Sequence, residues 1–142
     1  MKIAYEGTVG CGIPIFKTLS SLRFCHPYQL VGIVNSTCYS ILSLMEKNKD
    51  IELKQAISFV SDKEMVESNI SDDLDGVDTT QKLVIIARYI SNRLVSTHHI
   101  LTKGIRNITQ KHFECANLLN CTIRYLVFYE NNADGIALYV MP

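Results

Sequence analysis

Residues 67–82 read Glu-Ser-Asn-Ile-Ser-Asp-Asp-Leu-Asp-Gly-Val-Asp-Thr-Thr-Gln-Lys. Glu67, Asp72, Asp73, Asp75 and Asp78 gather in this stretch, Lys82 closes it, and the apolar residues Leu83, Val84, Ile85, Ile86 and Ala87 follow. A cluster of carboxylates can receive a substrate ammonium, and a lysine ammonium among them is a proton donor. Gly76 breaks the backbone, so a helix is expected from about Asp78. Asp78 suits the first turn, where it accepts free backbone N–H groups and complements the positive helix end. Asp78 and Lys82 are four apart and share one helical face. The plainer alternative is a capped helix with one surface ion pair, worth about 0.3–0.5 kcal/mol.

Those side chains need elements to hold them. A strand is expected at residues 2–5, a glycine turn next, and a helix over 14–22 opened by Pro14. Residues 29–34 alternate too little for a half-exposed strand and read as a buried one. Asn35 or Ser36 caps a helix to about Lys49 whose apolar face is Ile41, Leu42, Leu44 and Met45. A short helix is expected at 53–60. After an acidic loop comes a helix over 78–94, with Leu83, Ile86, Ala87, Ile90 and Leu94 at helical spacing. Residues 100–103 form a short strand, Thr109 caps a helix that stops near Asn120, and strands at 123–129 and 136–141 flank a turn at 131–135. The expected fold is α+β, a mixed sheet with helices packed on one face.

The chain has 142 residues, the length of one domain. Its 47% apolar content suffices for a core, and 14 basic against 14 acidic residues leave no basic stripe for nucleic acid. No signal peptide or membrane span is evident, so a cytoplasmic location is expected. Five cysteines, Cys11, Cys25, Cys38, Cys115 and Cys121, are odd in number and widely spaced, which suits reduced thiols. No C-x-x-C pair suggests zinc. His98, His99 and His112 match no ligand motif and are expected to face solvent or pack.

Two further segments join the acidic run: Tyr5-Glu-Gly-Thr-Val-Gly-Cys-Gly-Ile-Pro14 and Gly32-Ile-Val-Asn-Ser-Thr-Cys-Tyr-Ser-Ile-Leu42. Taken in order, the three resemble homoserine dehydrogenase, whose patterns run E-A-x-V-G-x-G-I-P, G-I-x-N-G-T-x-x-Y-I-L and G-Y-x-E-x-D-P-x-x-D-x-x-G-x-D-x-x-x-K. A weaker similarity continues through Lys103-Gly-Ile-Arg-Asn-Ile-Thr109. The family's nucleotide-binding fingerprint G-x-G-x-x-G is absent, because Gly7, Gly10 and Gly12 have the wrong spacing. The resemblance therefore implies that residues 1–142 are the catalytic, substrate-binding half, without the Rossmann domain and without the family's closing segment.

What the resemblance implies for the site follows residue by residue. Lys82 is the proton-transfer lysine and Asp78 orients it. Glu67 and Asp73 bind the substrate's ammonium, and Ser36 and Thr37 lie where the family's Asn-Gly-Thr meets substrate. Glu6, with the backbone of Val9, Cys11 and Ile13, matches a monovalent-cation site, usually sodium; a carboxylate plus carbonyls from alternate residues of an extended segment makes a hard-oxygen cage. The cofactor is NADP or NAD, held mainly by the missing domain, and the partner is a second copy in a homodimer. The implied reaction is reduction of aspartate semialdehyde to homoserine in threonine, methionine and isoleucine biosynthesis. Family Gly-Tyr is replaced by Glu64-Met65, Asp-Pro by Asn69-Ile70, and the glycine of Asn-Gly-Thr by Ser36. These departures favour the alternatives: a non-catalytic remnant or dimerisation module, or an amino-acid sensor.

Overall fold

The computed structural model describes residues 5–22, 24–25, 27–63 and 70–142. Helices α1 (Glu6–Gly10) and α2 (Ile15–Ser21) precede strand β1 (Gln29–Gly32). Helices α3 (Ser36–Lys47), α4 (Leu53–Lys63), α5 (Ile70–Asp75) and α6 (Val77–Ser91) follow. Strand β2 (Leu101–Thr102), helix α7 (Gln110–Leu118) and a hairpin of β3 (Leu126–Asn132) and β4 (Gly135–Met141) complete the chain. The sheet order is β1-β3-β4-β2. β3 is antiparallel to β1 and β4, whereas β2 runs parallel to β4, so the sheet is mixed, as expected.

Side-chain alternation gives the sheet two unlike faces. Leu30, Tyr129 and Leu138 share one row on the inner face, and Val127, Val140 and Thr102 share the next. That face packs on Ile41, Leu42 and Met45 of α3 and on Leu83, Val84 and Ala87 of α6 to form the main core. A smaller core of Val9, Phe16 and Leu19 seats α1 and α2 against Ile86 on the far side of α6. The outer face carries the row Val31, Phe128, Tyr139, Leu101 across all four strands, exposed at its ends Val31 and Leu101 and half-buried between them.

Several expectations need correction. β1 is an edge strand in which burial alternates, not a buried one, because it has a neighbour on one side only. The segment after Tyr5 is helical through Gly10, not a glycine turn. The acidic segment is not a loop from residue 70 onward but helix α5. Helix α6 stops at Ser91, where Asn92 takes a left-handed conformation (φ 52°), so Leu94 is 93% exposed and belongs to no core. Residues 2–4 of the expected first strand lie outside the described residues. The helix caps at Asn35 and Thr109 are as expected.

The α5–α6 junction is pinned from beneath. Gly76 has φ 83°, and a Cβ there would collide with the hydroxyl of buried Tyr125. Gly104 lies so close to Leu74 that a Cβ would strike its carbonyl oxygen, and Ile105 N–H donates to that same oxygen at 2.9 Å. Beside them the Arg106 guanidinium grips Asp75 at 2.5 and 2.8 Å and reaches Ser71 Oγ at 2.5 Å.

Candidate active site

Two helix starts and the middle of a third helix converge on one point: the cap of α3, the first turn of α6 and α5 at Asp73. Asn35, just before α3, accepts a hydrogen bond from Cys38 N–H through Oδ1 at 2.7 Å. Its amide nitrogen donates to Asp73 Oδ1 at 2.6 Å and to Asp78 Oδ2 at 3.1 Å. The same Asp78 oxygen lies 2.8 Å from Lys82 Nζ. Lys82 also donates to the carbonyl of Val34 at 3.1 Å. A lysine ammonium has three N–H donors, so one is left for a ligand oxygen. The ion pair is only partly covered: the Lys82 side chain is 22% and the Asp78 side chain 34% exposed.

Lys82 opens into a cavity of about 370 Å³. Asn35, Ser36 and Tyr39 line its α3 side, Ile33 and Val34 its β1 side, and Val9, Cys11 and Ile13 the side of the first two helices. Tyr39 is held from behind, with the Arg124 guanidinium 5.9 Å from its ring centre and 2.9 Å from Glu46. A larger cavity of about 590 Å³ lies between α2 and the end of α6, but no charged side chain lines it among the described residues, so the Lys82 ammonium points to the smaller one.

Cys38 lies beneath the Asn35–Asp73 network. It is fully buried and its thiol donates to the Asp73 carbonyl at 3.3 Å. Burial first, then the charges of Asp73 and Asp78, push this thiol up to about 12. It is a packing group, not a nucleophile.

The structure thus links Asp73, Asp78 and Lys82 in one network through Asn35 and Asp78, and of the expected site residues Lys82 and Ser36 line the cavity while Asp73 and Asp78 stand behind it. Thr37 is half-buried in the first turn of α3 and does not line the cavity. Glu67 lies outside the described residues. The expected cation cage finds no support in the geometry. Residues 6–10 are helical rather than extended. The Glu6 carboxylate caps α2, accepting from Phe16 N–H at 2.6 Å and Lys17 N–H at 3.2 Å. The Ile13 carbonyl accepts from Ile15 N–H at 2.8 Å. No group of three His, Cys, Asp or Glu side chains among the described residues could hold a metal ion. His99 and His112 each accept a backbone N–H at 3.1 Å and so cap their own turns. Two residues escaped sequence reasoning as parts of the site. Asn35 reads as a plain cap, and Tyr39 sits four residues on, the spacing that places it on the same face of α3.

The family model for homoserine dehydrogenase matches residues 14–142. The chain belongs to the homoserine dehydrogenase family. The Bacillus subtilis homoserine dehydrogenase is 28% identical over 141 residues, covering 99% of this chain and 32% of that protein. The Helicobacter pylori homoserine dehydrogenase is 33% identical, covering 99% and 33%. The chain therefore spans about a third of the length of these relatives. Among solved structures, a homoserine dehydrogenase from Thiobacillus denitrificans superposes with a TM-score of 0.88 at 27% identity, covering 95% of this chain and 31% of that one. A chain from Archaeoglobus fulgidus also superposes at 0.88, with 32% identity, covering 97% and 42%. The homoserine dehydrogenase resemblance carried by the three sequence motifs is thereby established, and with it membership of an oxidoreductase family.

Proposed function

We propose that this chain is the substrate-binding, catalytic part of a homoserine dehydrogenase that reduces L-aspartate 4-semialdehyde to L-homoserine, a step toward threonine, methionine and isoleucine. The observation that supports it most is the Lys82 ammonium, fixed by Asp78 and the Val34 carbonyl on the wall of an otherwise largely apolar cavity. Asp73, and Glu67 beyond the described residues, take the substrate's ammonium. Ser36 at the start of α3 faces its remaining polar groups, and Thr37, outside the cavity wall, supports that turn.

Family members use NAD or NADP as the hydride source. The described residues do not fit such a dinucleotide: they include no G-x-G-x-x-G turn, and their only parallel strand pairing is two residues long. Holding the cofactor falls to another domain. What this chain contributes is the proton. Reduction leaves negative charge on the former aldehyde oxygen, and a lysine ammonium both stabilises that charge and protonates it. Asp78 keeps the ammonium aimed and afterwards steadies the neutral amine until it regains a proton.

The test combines the chain with a separately produced nucleotide-binding half, NADPH and aspartate semialdehyde. Turnover is expected, and Lys82→Ala should lower it about 10²–10⁴-fold. Unchanged turnover in that variant rejects the assignment. A non-catalytic amino-acid-binding module is the competing reading, favoured by the exposed Ser36 side chain in the cavity wall where the family pattern has glycine. It is distinguished by calorimetric homoserine binding with no complemented turnover.

A homodimer is part of the proposal. The outer row Val31, Phe128, Tyr139 and Leu101 is apolar across the sheet, with Val31 49% and Leu101 62% exposed. A contiguous apolar sheet face of this kind marks an interaction surface, and the proposed occupant is the same face of a second copy.

A further inference from the structure

Asn35 does more than a helix cap requires. Capping α3 needs one acceptor oxygen, which Ser, Thr or Asp would supply equally well. Only a carboxamide offers two N–H donors at the same time. The Asn35 side chain engages both ends: Oδ1 accepts from Cys38 N–H, while Nδ2 donates to Asp73 and to Asp78. The reverse orientation would set the amide oxygen against two carboxylates, so the neighbours fix which end is which. Asn35 is 3% exposed, so water competes little for these bonds.

We infer that Asn35 is a positioning residue for Lys82, acting through Asp78. The inference rests on the proposed role of Lys82. Asp73 comes from α5 and Asp78 from α6, and one nitrogen ties both to the start of α3. Asp78 Oδ2 accepts from Asn35 and Lys82 together, so the amide sets where the ammonium's partner oxygen lies. The residue before Asn35 supplies the second anchor, since the Val34 carbonyl accepts from Lys82. Lys82 is thus held on two sides by one stretch of backbone, through the Val34 carbonyl directly and through the Asn35 amide by way of Asp78.

Asn35→Ser separates the two duties, because serine still caps α3 but is too short to bridge the carboxylates. Asn35→Ala removes both. The readout is ¹⁵N NMR of the lysine ammonium, assigned by its loss in Lys82→Arg, together with hydrogen exchange of the Cys38 amide and homoserine affinity by calorimetry. The unsubstituted chain should show a slowly exchanging Lys82 ammonium. In Asn35→Ser that signal should broaden beyond detection and homoserine affinity should fall about tenfold or more, which is about 1.4 kcal/mol. Cys38 amide protection should survive in Asn35→Ser and be lost in Asn35→Ala. A Lys82 signal unchanged in Asn35→Ser, or absent from the unsubstituted chain, overturns the inference. Failure of the unsubstituted chain to bind homoserine instead refutes the functional reading, and the NMR result still decides the role of Asn35.

Discussion

At the scale of single residues, the candidate site combines side chains that act with side chains that only hold. Cys38 is the clearest holder. A thiol raised to about 12 stays protonated at any physiological pH, and it is fully buried. Cys11, Cys25, Cys115 and Cys121 are all exposed. Brief alkylation of the native chain with iodoacetamide at pH 8 should therefore label four cysteines and spare Cys38, whereas the unfolded chain takes five labels. Mass spectrometry of the digest checks this, and rapid native labelling of Cys38 would mean that the packing beneath the Asn35–Asp73 network opens. The pairing of Asp78 with Lys82 was legible from their spacing, whereas Asp73 was singled out only through the homoserine dehydrogenase resemblance. The role of Asn35 was not legible, because a cap and a buried cross-link look the same in one dimension. The cation site was misread for a related reason: Glu6 found its acceptors' partners in the backbone of α2, ten and eleven residues away.

At the scale of elements, the α5–α6 corner controls the geometry. Gly76→Ala places a Cβ in a left-handed backbone and against Tyr125. Backbone strain of this kind costs about 1–3 kcal/mol before the steric clash is counted. A lowered melting temperature is expected, and Gly76→Asn, which tolerates φ > 0 better but still meets Tyr125, should not restore it. The corner also responds to acid. The hydrogen bond from Arg106 holds the Asp75 carboxyl below its ordinary range. A carboxyl lowered in the folded state stabilises above the unfolded value of about 3.9 and loses that contribution as pH falls beneath it. Amide protection in α5 should therefore weaken below about pH 4, and Arg106→Gln should remove that pH dependence; an unaltered profile in the variant would exclude this ion pair as the cause. Helix positions were largely readable from caps and periodicity. Helix α5 was not, since a six-residue acidic helix has little intrinsic stability and exists here through its packing and the Arg106 clamp.

At the scale of the whole molecule, the described sheet has one side packed on the α3–α6 core and an outer side whose apolar row is partly exposed. If a second copy covers the outer side, placing a charge in the outer row should prevent it. Tyr139→Glu is the direct test: sedimentation should change from dimer to monomer while the α3–α6 core, on the opposite face, stays folded by circular dichroism. A dimer that persists in this variant would remove the outer row from the interface. The α+β architecture itself could be read from the chain, because turn signals and alternation locate the hairpin. The strand order could not, since only tertiary packing sets β2 parallel beside β4. The junction between α5 and α6 carries one more implication. A single residue, Gly76, separates Asp75 from Val77, so the corner has no slack. Inserting or deleting one residue there would rotate α6 by about 100° about its axis and swing its lysine about a quarter turn away from the cavity. The nine-residue interval from Asp73 to Lys82 therefore works as a ruler: sequence drift can rewrite the letters along it far more easily than it can change the length.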